Sequence, residues 1–224
     1  MTLHLIKIPI NWLALARFAQ RNGDHSTDYA VHSWLKAAFG ENTPRPWRVN
    51  LEGGLVLGYS EYESVTLLRA LQDCDERLAQ EVLRGSISHQ VVKFRSGEVL
   101  RFNVQICPIG RESKTGNEKD LCLIRKNAGV SRETVYSEWT KERLERDGGC
   151  RVLEIEMQSF GLVQCLRREQ KTGGRRKKVD IKRPNAVMAG SLVVTDPELF
   201  MKTIGHGIGR HKAFGCGMVV LECM

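Results

Sequence analysis

Three side chains in the stretch Asp28-Tyr-Ala-Val-His-Ser-Trp-Leu-Lys36 carry groups that move protons or balance charge. Placed at 100° steps, Val31, Trp34, Leu35 and Ala38 share one side of a helix over residues 28–40 and form its core stripe. Tyr29, His32 and Lys36, at i, i+3 and i+7, fall on the opposite side. A phenol, an imidazole and an ammonium on one outward face can cleave a ribonucleotide chain without a metal. A base takes the 2′-hydroxyl proton, an acid protonates the departing 5′-oxygen, and a cation steadies the charged phosphorane. Histidine suits the acid–base part because its pKa lies near neutrality. Tyrosine or lysine supplies a hydrogen bond or charge. The same trio also makes an ordinary solvated helix face, so both roles stay open on this pattern alone. His25 is a competitor in the preceding polar loop, while His4 and His89 fall within strands and read as structural.

A second stretch, Gly205-His-Gly-Ile-Gly-Arg-His-Lys-Ala-Phe-Gly-Cys-Gly217, combines five glycines with two histidines, Arg210 and Lys212. Glycines let backbone amides approach a phosphate, and the cations add charge. It is not a Walker loop, lacking Gly-x-x-x-x-Gly-Lys-Ser/Thr and following a helix where a Walker sequence precedes one. Nor is it the Gly-x-Gly-x-x-Gly of a dinucleotide fold. A tight structural turn is the alternative. The Lys-Thr-Gly triplets at 114–116 and 171–173 lack the companion motifs of serine β-lactamases.

Charge separates along the 224 residues. Residues 1–94 hold 10 basic and 10 acidic side chains, and residues 95–224 hold 24 and 16. Residues 167–183 alone contain nine Lys/Arg against Glu169 and Asp180, supplying +7 of the net +8. Such concentration is the electrostatic footprint of a polyanion binder. The segment reads as strand, glycine turn at 171–174, then Arg175, Arg176, Lys177 and Lys178 leading a second strand through Lys182 and Arg183. That is a basic β-hairpin, a form that fits the flank of a nucleic-acid duplex. A basic loop facing anionic lipid is the alternative, but the run lacks the amphipathic helix and aromatics of a membrane-surface segment.

These groups need a scaffold. Strands are expected near 3–10, 46–51, 54–62 and 86–94, with a loop over 11–27, the helix at 28–40 and a long helix at 63–83. The order repeats. A strand at 97–107 precedes a polar loop at 110–129, which is expected to order only on assembly. A helix from Ser131 to 147, strands from 150 through the hairpin to 194, a short helix begun by Asp196-Pro197 and a strand from 217 complete it. Two β-α-β-β-α-β units predict an α+β, tandem ferredoxin-like (RRM-like) fold with domains at 1–94 and 95–224. The glycine–aromatic signature of the RNA-recognition module is not evident on these strands.

Composition fits this scaffold: 42% hydrophobic and 27% charged residues allow a globular core. No run approaches a membrane span, and Lys7 and Pro9 spoil a signal peptide. The seven cysteines show no Cys-x-x-Cys pair, which reads as free thiols in a cytoplasmic protein rather than a metal site. No cofactor is implied.

The stretch Gly207-Ile-Gly-Arg-His-Lys-Ala-Phe-Gly-Cys-Gly217, followed by Met218-Val-Val-Leu221, resembles the C-terminal signature of the CRISPR RNA-processing endoribonucleases, most of all the CasE branch of type I-E Cascade systems. Asp28-Tyr-Ala-Val-His32 is similar to that branch's Tyr-x-x-His element, and Val193-Val-Thr-Asp-Pro-Glu-Leu-Phe200 to its run before the glycine loop. The resemblance spans nearly the whole chain. It implies metal-independent cleavage of CRISPR repeat RNA at the 3′ base of a stem-loop, leaving a 2′,3′-cyclic phosphate and a 5′-hydroxyl. It also implies retention of the crRNA among other Cascade subunits, the backbone subunit above all; oligomeric state stays open on the sequence, a monomer outside the complex being the expectation. His32 would be the acid–base residue and Tyr29 its partner. Arg175, Arg176, Lys177, Lys178, Lys182 and Arg183 would grip the stem, with Arg210 and Lys212 near the RNA. Lys36, Lys178 and Lys182 are the candidate phosphorane cations, since residue 33 is serine. The other readings are a non-catalytic subunit that holds a processed guide, and a basic scaffold protein.

Overall fold

The computed structural model describes residues 2–24, 26–112, 117–125, 129–169 and 177–223. Alternation makes the first strand: in β1 (His4–Pro9), His4, Ile6 and Ile8 point inward. Next comes a helix where the sequence predicts a loop. In α1 (Trp12–Asn22) the Asn11 side chain accepts a hydrogen bond from the Ala14 amide, and left-handed Gly23 closes the far end. Leu15, Phe18 and Ala19 fill its buried side.

In α2 (Thr27–Phe39) the Ser26 hydroxyl caps the Tyr29 amide at 3.3 Å. Val31, Trp34, Leu35 and Ala38 are buried as the periodicity predicts, joined by Ala30 and Phe39. After β2 (Trp47–Asn50) and β3 (Leu55–Ser60), the expected long helix is two: α3 (Ser64–Gln72) and α4 (Arg77–Val82). Between them the Gln80 side-chain amide donates to the Gln72 and Cys74 carbonyls, and the Cys74 thiol donates to the Ala37 carbonyl. The two Gln80 bonds satisfy carbonyls at the break that a continuous helix would have used, and the Cys74 bond ties the break to the end of α2. The strand β4 (Ser88–Val91) completes an antiparallel sheet in the order β2-β3-β1-β4.

The second half opens with β5 (Val99–Ile106). The expected polar loop contains a small insert instead: β6 (Ile109–Arg111) pairs with β7 (Glu118–Asp120), and α5 (Leu121–Ile124) follows. Asp120 organises it by capping the Cys122 amide, accepting from the Tyr136 hydroxyl at 2.8 Å and pairing with Arg132. Tyr136 and Arg132 belong to α6 (Arg132–Glu145). The basic segment lies in a long ribbon, β8 (Cys150–Glu169) against β9 (Lys177–Val194), in register from Cys150 opposite Val194 to Glu169 opposite Lys177 with two irregularities. The expected glycine turn at 171–174 lies outside the described residues. A capped α7 (Pro197–His206), with Pro197 at its first position, leads through the glycine stretch to β10 (Val219–Cys223). This sheet runs β10-β5-β9-β8.

Numbered within each half, both sheets have the order 2-3-1-4, so the chain is a tandem ferredoxin-like fold, as its element order predicts. One core lies between the first sheet and its helices, around Ile6, Ile8, Trp34 and Leu67. Another joins Leu3, Leu57 and Tyr59 of the first half to Phe102, Val104, Met218 and Val219 of the second. At that seam the buried Tyr59 hydroxyl donates to the Val219 carbonyl at 2.9 Å. Cys74, Cys107, Cys122, Cys150 and Cys216 are free thiols. No described helix is long and apolar enough to cross a membrane.

Candidate active site

The outward face of α2 meets the glycine stretch. The Tyr29 ring lies 6.2 Å from the His32 ring and 6.1 Å from Phe214, which is itself 5.7 Å from His211. Phe214 ends a single 3-10 turn, Lys212–Phe214. That turn is held by tight backbone closure: the Ile208 amide donates to the Gly217 carbonyl and the Gly217 amide to the Gln105 carbonyl. At Gly217, φ is +84° and a β-carbon would stand 2.2 Å from the Ile208 oxygen, so glycine is required. At Gly209 a β-carbon would meet the Trp139 ring at 2.6 Å. The glycines therefore shape the loop by close approach within the protein.

A small cavity joins three parts of the chain: Ser26 and Asp28 at the start of α2, Arg183 and Asn185 on β9, and His211 and Phe214 of the loop. The structure thus brings the helix, the root of the ribbon and the glycine stretch to one place.

His32 is half-buried. Burial first, and then the positive fields of Arg45 and Lys36, hold its imidazole below the ordinary pKa of 6.5, against an opposing pull from Asp24. A neutral imidazole at neutral pH is the form that accepts a proton. Lys36 is exposed one turn further along α2. Arg45 is not among the residues that the sequence pattern singles out. It lies in the turn before β2, and only the folded chain brings its charge to bear on His32.

The other predicted cations divide. Lys182 is exposed on β9 and Arg183 faces inward, as alternation along a strand requires. Arg183 is 8% exposed and donates to both the Glu118 carbonyl and its carboxylate, at 3.0 and 2.8 Å. Arg210 reaches the other Glu118 oxygen at 2.9 Å, and His211 Nε2 lies 3.7 Å from the oxygen that Arg183 holds. Burial raises the Glu118 pKa, but Arg183, Arg210 and His211 together outweigh it and keep the carboxyl below its ordinary value. Glu118 is the group that sequence reasoning missed: it falls in the polar stretch 110–129, whose partners are remote in the chain. Lys212 is half-buried, donates to the His206 carbonyl at the end of α7, and has its pKa lowered by burial. Lys177 and Lys178 open β9. Arg175, Arg176 and the competitor His25 lie outside the described residues.

The chain and its fold have recognisable relatives. Residues 3–222 match the family described as CRISPR associated protein. A CRISPR-associated endoribonuclease, Cse3 of Thermus thermophilus, is 30% identical over 96% of this chain and 97% of its own. The structure of CRISPR endoribonuclease Cse3 bound to 19 nt RNA superposes with a TM-score of 0.68 at 23% identity, covering 99% of each chain. A chain of a CRISPR RNA-guided surveillance complex superposes with a TM-score of 0.59 at 16% identity over the full length of both. With a family match over nearly its entire length and a 30% identical relative covering almost all of both chains, this chain belongs to the CRISPR-associated protein family.

Proposed function

We propose that this chain is a metal-independent endoribonuclease that cleaves CRISPR repeat RNA at the 3′ base of its stem-loop and retains the crRNA as a subunit of a Cascade-type complex. The observation that carries the reading is the half-buried His32, its pKa lowered, on the outward face of α2 beside Tyr29, whose ring in turn packs on Phe214 of the glycine stretch. The relative's printed name, an endoribonuclease, supports it. His32 takes the proton of the 2′-hydroxyl, whose oxygen attacks the adjacent phosphorus. The P–O5′ bond breaks, leaving a 2′,3′-cyclic phosphate, and the departing 5′-oxygen takes the proton back from the His32 imidazolium to leave as a hydroxyl. Tyr29 hydrogen-bonds the reacting phosphate, and Lys36 and Arg45 offset its charge. The division into domains at 1–94 and 95–224 belongs to this reading: the first carries the acid–base residue and the second the basic ribbon.

The test is cleavage of a hairpin repeat RNA in excess chelator by the unaltered chain and by His32→Ala, with a 2′-deoxy substrate at the scissile position as control. His32→Ala loses about 10²-fold or more in rate while binding persists, and the 2′-deoxy RNA is not cut. Tight binding by the unaltered chain with no cutting would overturn the proposal in favour of a subunit that only holds the guide.

A further inference from the structure

Two histidines that read as structural in the sequence meet on the far strands of the first sheet. His4 of β1 opposes Val91 and Ile6 opposes His89 of β4, a diagonal that puts both imidazoles on one face. Their rings meet edge to face at 5.2 Å. Glu63 stands beside them at the N-cap of α3, yet its side chain makes no capping bond. One donor atom from each of His4, Glu63 and His89 lies within 4.8 Å of the other two.

A further observation points to a ligand. His4 is only 3% exposed, and its Nδ1 is buried with no hydrogen-bond partner, a rare condition for an interior polar atom. On His89, Nδ1 accepts from the Ser64 amide at 3.3 Å and lies 2.9 Å from the Ser64 hydroxyl, so taking a cation at Nε2 requires the ring proton to shift to Nδ1, which then donates to that hydroxyl. Metal-bound imidazoles characteristically engage their second nitrogen in such a bond.

We propose that His4, Glu63 and His89 bind one zinc-type divalent cation. Two imidazoles and a carboxylate suit Zn²⁺ and its neighbours, whereas Mg²⁺ and Ca²⁺ call for oxygen ligands throughout. Zn–N bonds of about 2.0–2.1 Å place tetrahedral donors about 3.3 Å apart. The exposed Glu63 side chain closes on the two imidazoles by rotation, and a solvent molecule fills the fourth position. The ion ties β1, β4 and the start of α3 together and uses no residue of α2 or of the glycine stretch. Its role is structural, and the proposed cleavage does not depend on it.

The experiment strips the full chain with chelator, removes the chelator, and titrates in Co²⁺ followed by Zn²⁺. One equivalent of Co²⁺ brings up visible d–d bands of low-coordinate nitrogen–oxygen ligation, Zn²⁺ erases them, and Zn²⁺ raises the melting temperature. His89→Gln and Glu63→Gln each weaken binding by about tenfold or more with an unchanged far-ultraviolet spectrum. These two exposed positions keep the test clear of the folding risk of altering buried His4. An absence of bands overturns the proposal. So does binding indifferent to both substitutions, or intense thiolate-to-cobalt absorption, which would assign the ion to cysteines.

Discussion

A histidine that opens a reaction as a base must be neutral before the substrate arrives. In His32 that condition is built by burial and by two cations, Arg45 and Lys36, whose fields penalise a third positive charge. The sign is definite. A lowered pKa keeps the base form populated to lower pH, so kcat/KM for cleavage rises with pH through a pKa under 6.5 and is level above it. Arg45→Gln moves that limb up toward the ordinary value. A limb at or above 6.5 in the unaltered chain would contradict this account. Tyr29 and His32 are legible in the sequence because helical periodicity fixes which side chains share a face. Arg45 and Glu118 are not, because their roles come from contacts between segments with no common period. Glu118 also changes how Arg183 and Arg210 are understood: the sequence presents both as charge for RNA, and the fold ties both to one carboxylate.

Among the elements, the ribbon has the most to do at a distance. β5 pairs with β9 only from Ala186 to Val193. Beyond that, β8 and β9 pair with each other out to Glu169 and Lys177, the basic charge lying along this outer part. Replacing Arg175, Arg176, Lys177 and Lys178 by glutamine weakens binding to hairpin RNA. It also reduces the slope of log K against log salt by about 0.7–0.9 for each phosphate no longer neutralised. An unchanged slope in a salt titration would move the RNA elsewhere. The hairpin is readable from its residues because strand alternation and a glycine turn flank the charge. The α1 helix escapes a reading by composition, although Asn11 and Gly23 mark its two ends. The break between α3 and α4 is hidden because apolar spacing runs through it, and the stop comes from side-chain bonds to carbonyls. The β6–β7 hairpin is too short and too polar to show a period at all.

At the scale of the molecule, the repeated sheet order is legible from the alternation of elements, whereas the packing of one sheet on the other is not. No local pattern announces that Leu3, Leu57 and Tyr59 share a core with Met218 and Val219. Burial raises the Tyr59 pKa, so it stays a hydrogen-bond donor throughout the physiological range. Tyr59→Phe leaves the Val219 carbonyl unpaired and lowers stability by about 1–2 kcal/mol, a drop of a few degrees in Tm. Unfolding stays a single transition because the apolar seam persists; calorimetry that resolves two transitions would show that the halves are independent. The packing of Tyr29 against Phe214 also has a consequence for synthesis. A ribosome-bound chain that has released the first sheet and α2, but not yet residues 207–217, presents Tyr29, beside His32, without Phe214 packed against it. The proposed cleavage therefore waits until residues 207–217 have been made and have packed on α2.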